Sequence, residues 1–540
     1  MGVAARTAIL VLATLACECA RPASELRFCL HADPKTFDPL LAGEEASETV
    51  GYLTGGVLIR FNRQTQQLEP ELASSWKVRD QGKRIDFVLR RGVLFSDGTP
   101  FGPADVVATF KRLVDPNLNS AVADTFRSAS RRISAQQTGP NEVSVIFSAP
   151  VAGLEMLFGQ LAITPARPVR AGSAVLGPFM FADYKSGQYV LLKRNPNYWK
   201  TAADGGRLPC LDSIRLDIQA NRDIELLRFR RGELHLLDKL DPEAFERLRG
   251  DMPEAVLNAG PSLDSEFLWF NQNPNATFPL HKKRWFQSTL FRRALSFAIN
   301  RSDIIRLVYL GHAHAAAGPV SSANKVWFNA TLRPYKYDPQ LALRVLREDG
   351  FHFDGNILRD RGGNPVAFTM ITNSGSRTRT RIGTMLQQDL QKIGIQLDFT
   401  PLEFQSLIER ITRTQQYEAC LLGFTNLEVD PNSQMNVWIS SGSHHAWNPG
   451  QTKPATSWEA EVDRLMKLQA TAGDLKVRKG AFDRVQQLLS DEVPMIYLVH
   501  PDVLVAVASS VRNASPSVLP PHLLWNVQHL LLGPGVRGNK

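Results

Sequence analysis

A chain of 540 residues, 43% hydrophobic and 21% charged, is longer than one hydrophobic core serves and too apolar for a disordered or fibrous protein. Two or three globular domains are expected. The formal charge of +9 comes from 62 basic and 53 acidic residues that are interspersed, with no long basic block to track a phosphate backbone, so nucleic-acid binding is not expected.

The N-terminus carries Arg6, an apolar stretch from Ala8 to Ala16 and then Cys17. That stretch is too short to cross a bilayer but suits the core of an export signal. Leu12-Ala13-Thr14-Leu15-Ala16-Cys17 resembles a lipoprotein cleavage box, with Cys17 as the lipid-bearing first residue of the mature chain. Thr14 stands where such a box prefers Leu or Val, and an ordinary signal peptide cut a few residues later is the alternative. No other segment reaches the ~18 uninterrupted apolar residues of a membrane-spanning helix. The remaining cysteines, Cys19, Cys29, Cys210 and Cys420, either pair in one of three ways in an oxidising compartment or, at Cys210 and Cys420, serve as small buried hydrophobes.

Ile85, Phe87 and Leu89 alternate with more polar neighbours, the spacing of a half-buried strand. Asp97-Gly98 then predicts a turn, Pro103 a first helical turn, and Val106, Val107, Phe110, Leu113 and Val114 a helix that ends by Pro116. The same grammar returns later: Ile382, Met385, Leu386, Leu390 and Ile393 form one helical face, Gly394 stops it, and Ile395, Leu397 and Phe399 alternate as a strand. Phe404, Leu407, Ile408 and Ile411 repeat at helical spacing, and YEACLLGF reads as a buried strand. Helices and strands in this alternation predict α/β layers around mixed sheets. No low-complexity linker cuts the chain, so crossings between domains are expected to be short strands.

Catalytic signatures are missing. GxSxG, GxxxxGK[ST] and HExxH, which would supply a strained nucleophile, a phosphate cradle and a helical zinc site, do not occur. His312 with His314 and the adjacent His444 and His445 are the residues a transition metal or metal chelate would use, although neither spacing is diagnostic. Trp438 and Trp447 fall in a Ser/Gly/Asn-rich stretch, where an apolar ring with a polar N–H suits either a ligand wall or core packing.

Residues 68–116 carry Leu-Ala-x-Ser-Trp ending at Trp76, Leu-Arg-x-Gly-Val ending at Val93, Asp-Gly-Thr-Pro-Phe at 97–101 and Asp-Val-Val at 105–107. RNPNYW at 194–199, LPCLDSI at 208–214, RFRRGELHLLD at 228–238 and FRRALSFAINRSDI at 291–304 follow in order. With DPQLALRVLREDGF at 338–351 and TMLQQDLQKIGIQLDF at 384–399, this collinear series resembles the family 5 extracellular solute-binding proteins, the peptide/nickel group, over nearly the whole mature chain. The resemblance implies an α/β, type II-like periplasmic-binding-protein fold with two lobes and an additional domain. It places 1–23 in the signal and anchor region, 24–55 with 175–262 and 490–540 in the first lobe, 56–174 in the extra domain and 263–489 in the second lobe. A monomer without cofactor would enclose a small ligand, foremost a peptide, by hinge closure and present it to an ABC permease in the inner membrane. A nickel chelate or a sugar is the alternative within the family, and a peptide hydrolase the alternative outside it. Arg292, Arg293 and Arg301 are expected to be solvated or salt-bridged on helices, and Trp76 and Phe101 to be packed.

Peptide-binding members carry Gly-Trp-x-x-Asp, whose carboxylate pairs with the ligand's α-ammonium. Here Gly423-Phe424-Thr425-Asn426 is followed by Leu427, with Glu428 one place on and Asp430-Pro431-Asn432 matching the family downstream. Phe424, Thr425 and Asn426, with Glu428 and Asp430, are therefore expected at the cleft, opposite His31 and Asp33 at the end of the first mature strand. A ligand without a free amine fits Leu427, whereas a bulge at this point would bring Glu428 in as the anion.

Overall fold

Ile85, Phe87 and Leu89 share one side of the strand Arg84–Leu89 and are at most 2% exposed, as their alternation requires. In the computed structural model, which describes residues 24–118, 120–170, 172–425 and 429–533, this strand lies inside an antiparallel sheet. Its order is Ala73–Arg79, Arg84–Leu89, Glu142–Phe147, Ile133–Gly139. The helix Pro103–Leu113 covers it, with the Asp105 carboxylate accepting from the Gly102 amide (2.9 Å) and Val106, Phe110 and Leu113 packed around Phe126 and Phe158. The turn before it takes φ 86° at Gly98, a conformation that favours glycine.

A second sheet runs Phe179–Lys185, Tyr189–Arg194, Ser213–Ile218, Glu25–Leu30, and only its last pair is parallel. Leu26, Val190, Leu192, Ile214 and Leu216 pack on one face against Leu523 and Leu524. Cys29 packs with Leu226, Phe229 and Leu234 in a separate cluster.

The largest sheet carries Gln396–Leu402, Ala367–Asn373 and Ala419–Phe424 side by side, then Ser265–Phe270 antiparallel to the last. Ile382, Leu386 and Leu390 of the helix Arg377–Gln391 cover one face, and Gly394, at φ 75°, ends that segment before the next strand. The helix Phe404–Ile408 is shorter than its apolar spacing implied, because the chain widens into a π-helical turn over Glu409–Thr414 and leaves through Gln415 at φ 55°.

Met495–Val507 crosses this largest sheet and meets the second one by packing, with Val503 and Val505 in the cluster of Leu26 and Leu216. Its first half pairs with Ser265–Phe270, its second with Leu236–Leu237 and Val256–Pro261.

One expectation is corrected here. Arg292 and Arg301 are 1% and 4% exposed, not solvated. Arg292 donates to the carbonyls of Phe286 (2.6 Å), Glu492 (2.8 Å) and Val493 (2.8 Å), and Arg301 to those of Ser296 (2.9 Å) and Tyr497 (2.8 Å). Burial pulls both guanidinium groups down to about 10, which leaves them charged near neutral pH. They act as staples between the helix Thr289–Ala298, its neighbour Arg301–Leu307 and the start of the crossing strand. Among the described cysteines, Cys29, Cys210 and Cys420 are free thiols; Cys29 and Cys420 are buried, and burial pushes Cys29 up to about 12.

Candidate functional site

In the largest sheet the parallel strands Ala367–Asn373 and Ala419–Phe424 end at one edge, where the helix Arg377–Gln391 begins with Ser376 Oγ accepting from the Arg379 amide (3.2 Å). Phe424 stands there, its ring 4.7 Å from Phe267, and exposed Thr425 follows. On the other face Glu266 binds Arg379 through two bonds, Nε to Oε2 at 2.8 Å and Nη2 to Oε1 at 3.0 Å. Arg379 Nη1 donates to Asn373 Oδ1 (3.0 Å). Burial lifts the Glu266 carboxyl above the usual range despite this partner. Gly423 is what lets the pair sit so close: a Cβ on it would fall 2.8 Å from Arg379 Nη2 and 2.5 Å from the Ser265 carbonyl. Asn426, Leu427 and Glu428 lie outside the described residues.

The other lip is the edge at which Glu25–Leu30 and Ser213–Ile218 end, at His31 and Gln219. His31 Nε2 lies 3.4 Å from Glu225 Oε2, and Arg222 Nη1 holds the same oxygen at 2.5 Å. Asp33 is committed to the fold: it accepts from the Gly187 amide (2.7 Å), Ser186 Oγ (3.1 Å) and Tyr184 OH (3.2 Å), fixing the turn between two strands of its own sheet. Asp238, the last residue of the RFRRGELHLLD segment, follows the short strand Leu236–Leu237, is half-buried and has an inaccessible Oδ1 without a hydrogen-bond partner.

Other sequence-derived candidates fall elsewhere. Asp430 is held by Arg478 Nη2 at 2.7 and 2.9 Å and accepts from the Asn432 amide (2.9 Å), so its carboxylate is spent on the fold. Trp438 and Trp447 are each 1% exposed. Their indole N–H groups bond Gln434 (3.1 Å) and Glu459 (3.0 Å), which makes them core residues in place of the ligand wall that their polar surroundings implied. His445 is buried against Trp447, with ring centroids 4.0 Å apart, and its neighbour His444 reaches Asn436 (2.6 Å). His312 and His314 stand instead at the crossing strands, 2.6 Å from Glu246 and 3.1 Å from Asp502 respectively. The two histidine pairs do not converge, and among the described residues no group of three or more His, Cys, Asp or Glu side chains is arranged to hold a metal ion.

Several contacts link segments that are far apart in the chain. Phe61 joins the cluster of Phe267, Trp327 and Leu519. Gln66 Nε2 donates to the Ala323 carbonyl (2.6 Å) while its Oε1 accepts from the Lys325 amide (2.9 Å). Glu243 pairs with Arg381, and Asn432 Nδ2 reaches the Ala152 carbonyl (2.8 Å). Among the described residues no helix is long and apolar enough to cross a membrane.

Residues 67–445 match the family described as bacterial extracellular solute-binding proteins, family 5 Middle. A probable ABC transporter-binding protein of Deinococcus radiodurans is 25% identical over 509 residues, which cover 86% of this chain and 85% of the relative. Di/tripeptide-binding protein 2 of Pseudomonas aeruginosa is 25% identical over 514 residues, with 88% and 89% covered. The crystal structure of NikA from Brucella suis in complex with Fe(III)-EDTA superposes with a TM-score of 0.78 at 20% identity, over 94% of this chain and 100% of that one. The likeness identifies the fold as that of two-lobed, three-domain periplasmic binding proteins.

Proposed function

Because the chain belongs to the bacterial extracellular solute-binding proteins, family 5, we propose that it captures a peptide between its two lobes and delivers it to an ABC importer. The observation that carries the reading is the pair of sheet edges, one ending in His31 and Gln219 and the other in Asn373 and Phe424, with the strand Met495–Val507 paired in the latter sheet and packed against the former. Sheet edges of this kind offer unpaired backbone groups and helix N-termini, which suit an extended backbone with alternating amides and carbonyls. The name of the Pseudomonas aeruginosa relative supports the peptide, and that of the Deinococcus radiodurans relative the importer.

No bond is made or broken in this task, and the protein is read as a carrier, not an enzyme. Ligand drives closure only to the extent that it binds the closed arrangement better than the open one. The three sheets support a first lobe from 24–55, 175–262 and 490–540, an extra domain from 56–174 and a second lobe from 263–489, with the boundary near 262 falling where the crossing strand changes partner. Phe424 and Thr425 line the cleft from the second lobe and His31 from the first; Cys17 tethers a monomer to the envelope by lipid. The test is native mass spectrometry of protein taken from its own host's envelope, with the bound compound released by denaturation. Peptides are the expected result, and a metal complex or a sugar in their place refutes the peptide assignment.

A further inference from the structure

Arg222 connects the features of the first lip. Its Nη1 holds Glu225, which lies against His31, while its Nη2 donates to the Lys239 carbonyl (3.1 Å). The Asp238-Lys239 turn therefore shares an edge with His31 and emerges from the strand Leu236–Leu237, paired with Val507 and Ala506 of the crossing strand.

Two features of that turn are costly to the free protein. Asp238 Oδ1 is out of water with no donor, and an unpaired buried carboxylate oxygen destabilises a fold more than a neutral group does. Lys239 follows it at φ 51°, a left-handed conformation that a residue with a Cβ adopts only when its surroundings enforce it. The cations alongside do not relieve the carboxylate: Arg222 is taken by Glu225 (2.5 Å), and Lys239 Nζ by Glu45 (2.8 Å). At the opposite lip Glu266 is neutralised at home by Arg379. Strain and an unsatisfied anion at one sheet edge are the marks of a group kept ready for a partner.

We propose that Asp238 is a ligand-binding residue that receives an ammonium group, so that the first lobe supplies a carboxylate for a peptide's free N-terminus. The proposal rests on the peptide reading and deepens it: the ligand is a peptide with an unblocked amine. An ammonium has three donors on a compact charge, and one of them pairs with the half-buried Asp238 carboxylate while the others remain for backbone carbonyls of either lip.

Trialanine and N-acetyl-trialanine are titrated calorimetrically into the ligand-stripped wild type and Asp238→Asn, with thermal midpoints recorded for both proteins alone. Wild type is expected to bind trialanine at least tenfold tighter than the acetylated peptide, and Asp238→Asn to lose at least tenfold for trialanine and nothing for the acetylated form. The variant alone is expected to melt at or above the wild type, since its unpaired charge is gone, whereas a structural aspartate predicts a lower midpoint and an equal loss for both peptides. Trialanine affinity unchanged in Asp238→Asn, or a wild type that prefers the acetylated peptide, overturns the role of Asp238 and leaves the peptide reading standing. A wild type that binds neither peptide overturns both.

Discussion

Gln66 occupies the tip of the hairpin formed by Ile59–Phe61 and Leu68–Pro70 at φ 59°, its amide bonded to the Asn62 carbonyl (2.9 Å) and its side chain 4% exposed. That side chain reads residues 323–325 as a strand would, giving one hydrogen bond to Ala323 and accepting one from Lys325. At about 1 kcal/mol net for each bond, the pair favours closure by about 2 kcal/mol, a factor of roughly thirty between closed and open populations. Gln66→Gly removes both bonds and also relieves the left-handed backbone, which is worth about 1 kcal/mol to the fold. The variant should therefore lose no more than about 1 kcal/mol of stability, yet show a larger radius of gyration in small-angle scattering without ligand. Its apparent affinity should fall by up to thirtyfold, because only the competent fraction binds tightly. Phe61 packing and the Lys325 Nζ bond to the Gln64 carbonyl (2.7 Å) survive the change, so partial closure persists. An unchanged radius of gyration together with an affinity within twofold of wild type refutes the latch.

Arg292→Met leaves the carbonyls of Phe286, Glu492 and Val493 without their donor and should cost about 3–5 kcal/mol, read as a lower urea midpoint with an unaltered slope. Gly423→Ala forces a methyl group against the Ser265 carbonyl and the Glu266–Arg379 pair, and should destabilise by about 1–3 kcal/mol in the same assay. Burial holds the His500 imidazole at about 4 against 6.5 for the unfolded chain, while its Nδ1 donates to the Asp264 carbonyl (2.9 Å). The unfolded chain binds this proton more readily, so the contribution is complete above about pH 6.5 and is lost as pH falls toward 4, about 3 kcal/mol in all. His500→Asn should flatten that part of the stability profile, and an unchanged acid slope would count against the assignment.

Periodic segments were legible in the sequence because their cause is local. The alternation at 85–89 and the helical face from Ile382 to Ile393 each report which side of one element meets a core, and the structure places both as spacing demands. What spacing cannot carry is the identity of the partner. Arg292 looks like any helix-surface arginine until the chain two hundred residues later folds its carbonyls over it. Asp430 matches a family motif, but Arg478, on a helix 48 residues away, decides that its charge is spent internally. Trp438 and Trp447 sit among small polar residues that elsewhere line ligand pockets, and here the helix Ser457–Thr471 buries them by supplying Glu459 and its apolar face. Asp238 closes the segment RFRRGELHLLD without standing out in it, since its significance is the absence of a donor, and absence is a property of the assembled neighbourhood.

The same distinction bears on how recognition is coupled to closure. Contacts such as Gln66 to Ala323, Glu243 to Arg381 and His312 to Glu246 are complete within the chain, so they favour the closed arrangement equally for every ligand and none. A term that is equal for all ligands sets how far the equilibrium must still be moved, not which ligand moves it. Selection must come from groups left incomplete, and Asp238 is incomplete in the sense that matters: its oxygen is desolvated whether or not a cation arrives. An ammonium removes that penalty and adds the charge-assisted bond, while a neutral end of similar size leaves the penalty in place. Discrimination between the two thus exceeds the worth of one hydrogen bond, and it is achieved without lengthening the list of contacts that hold the lobes together.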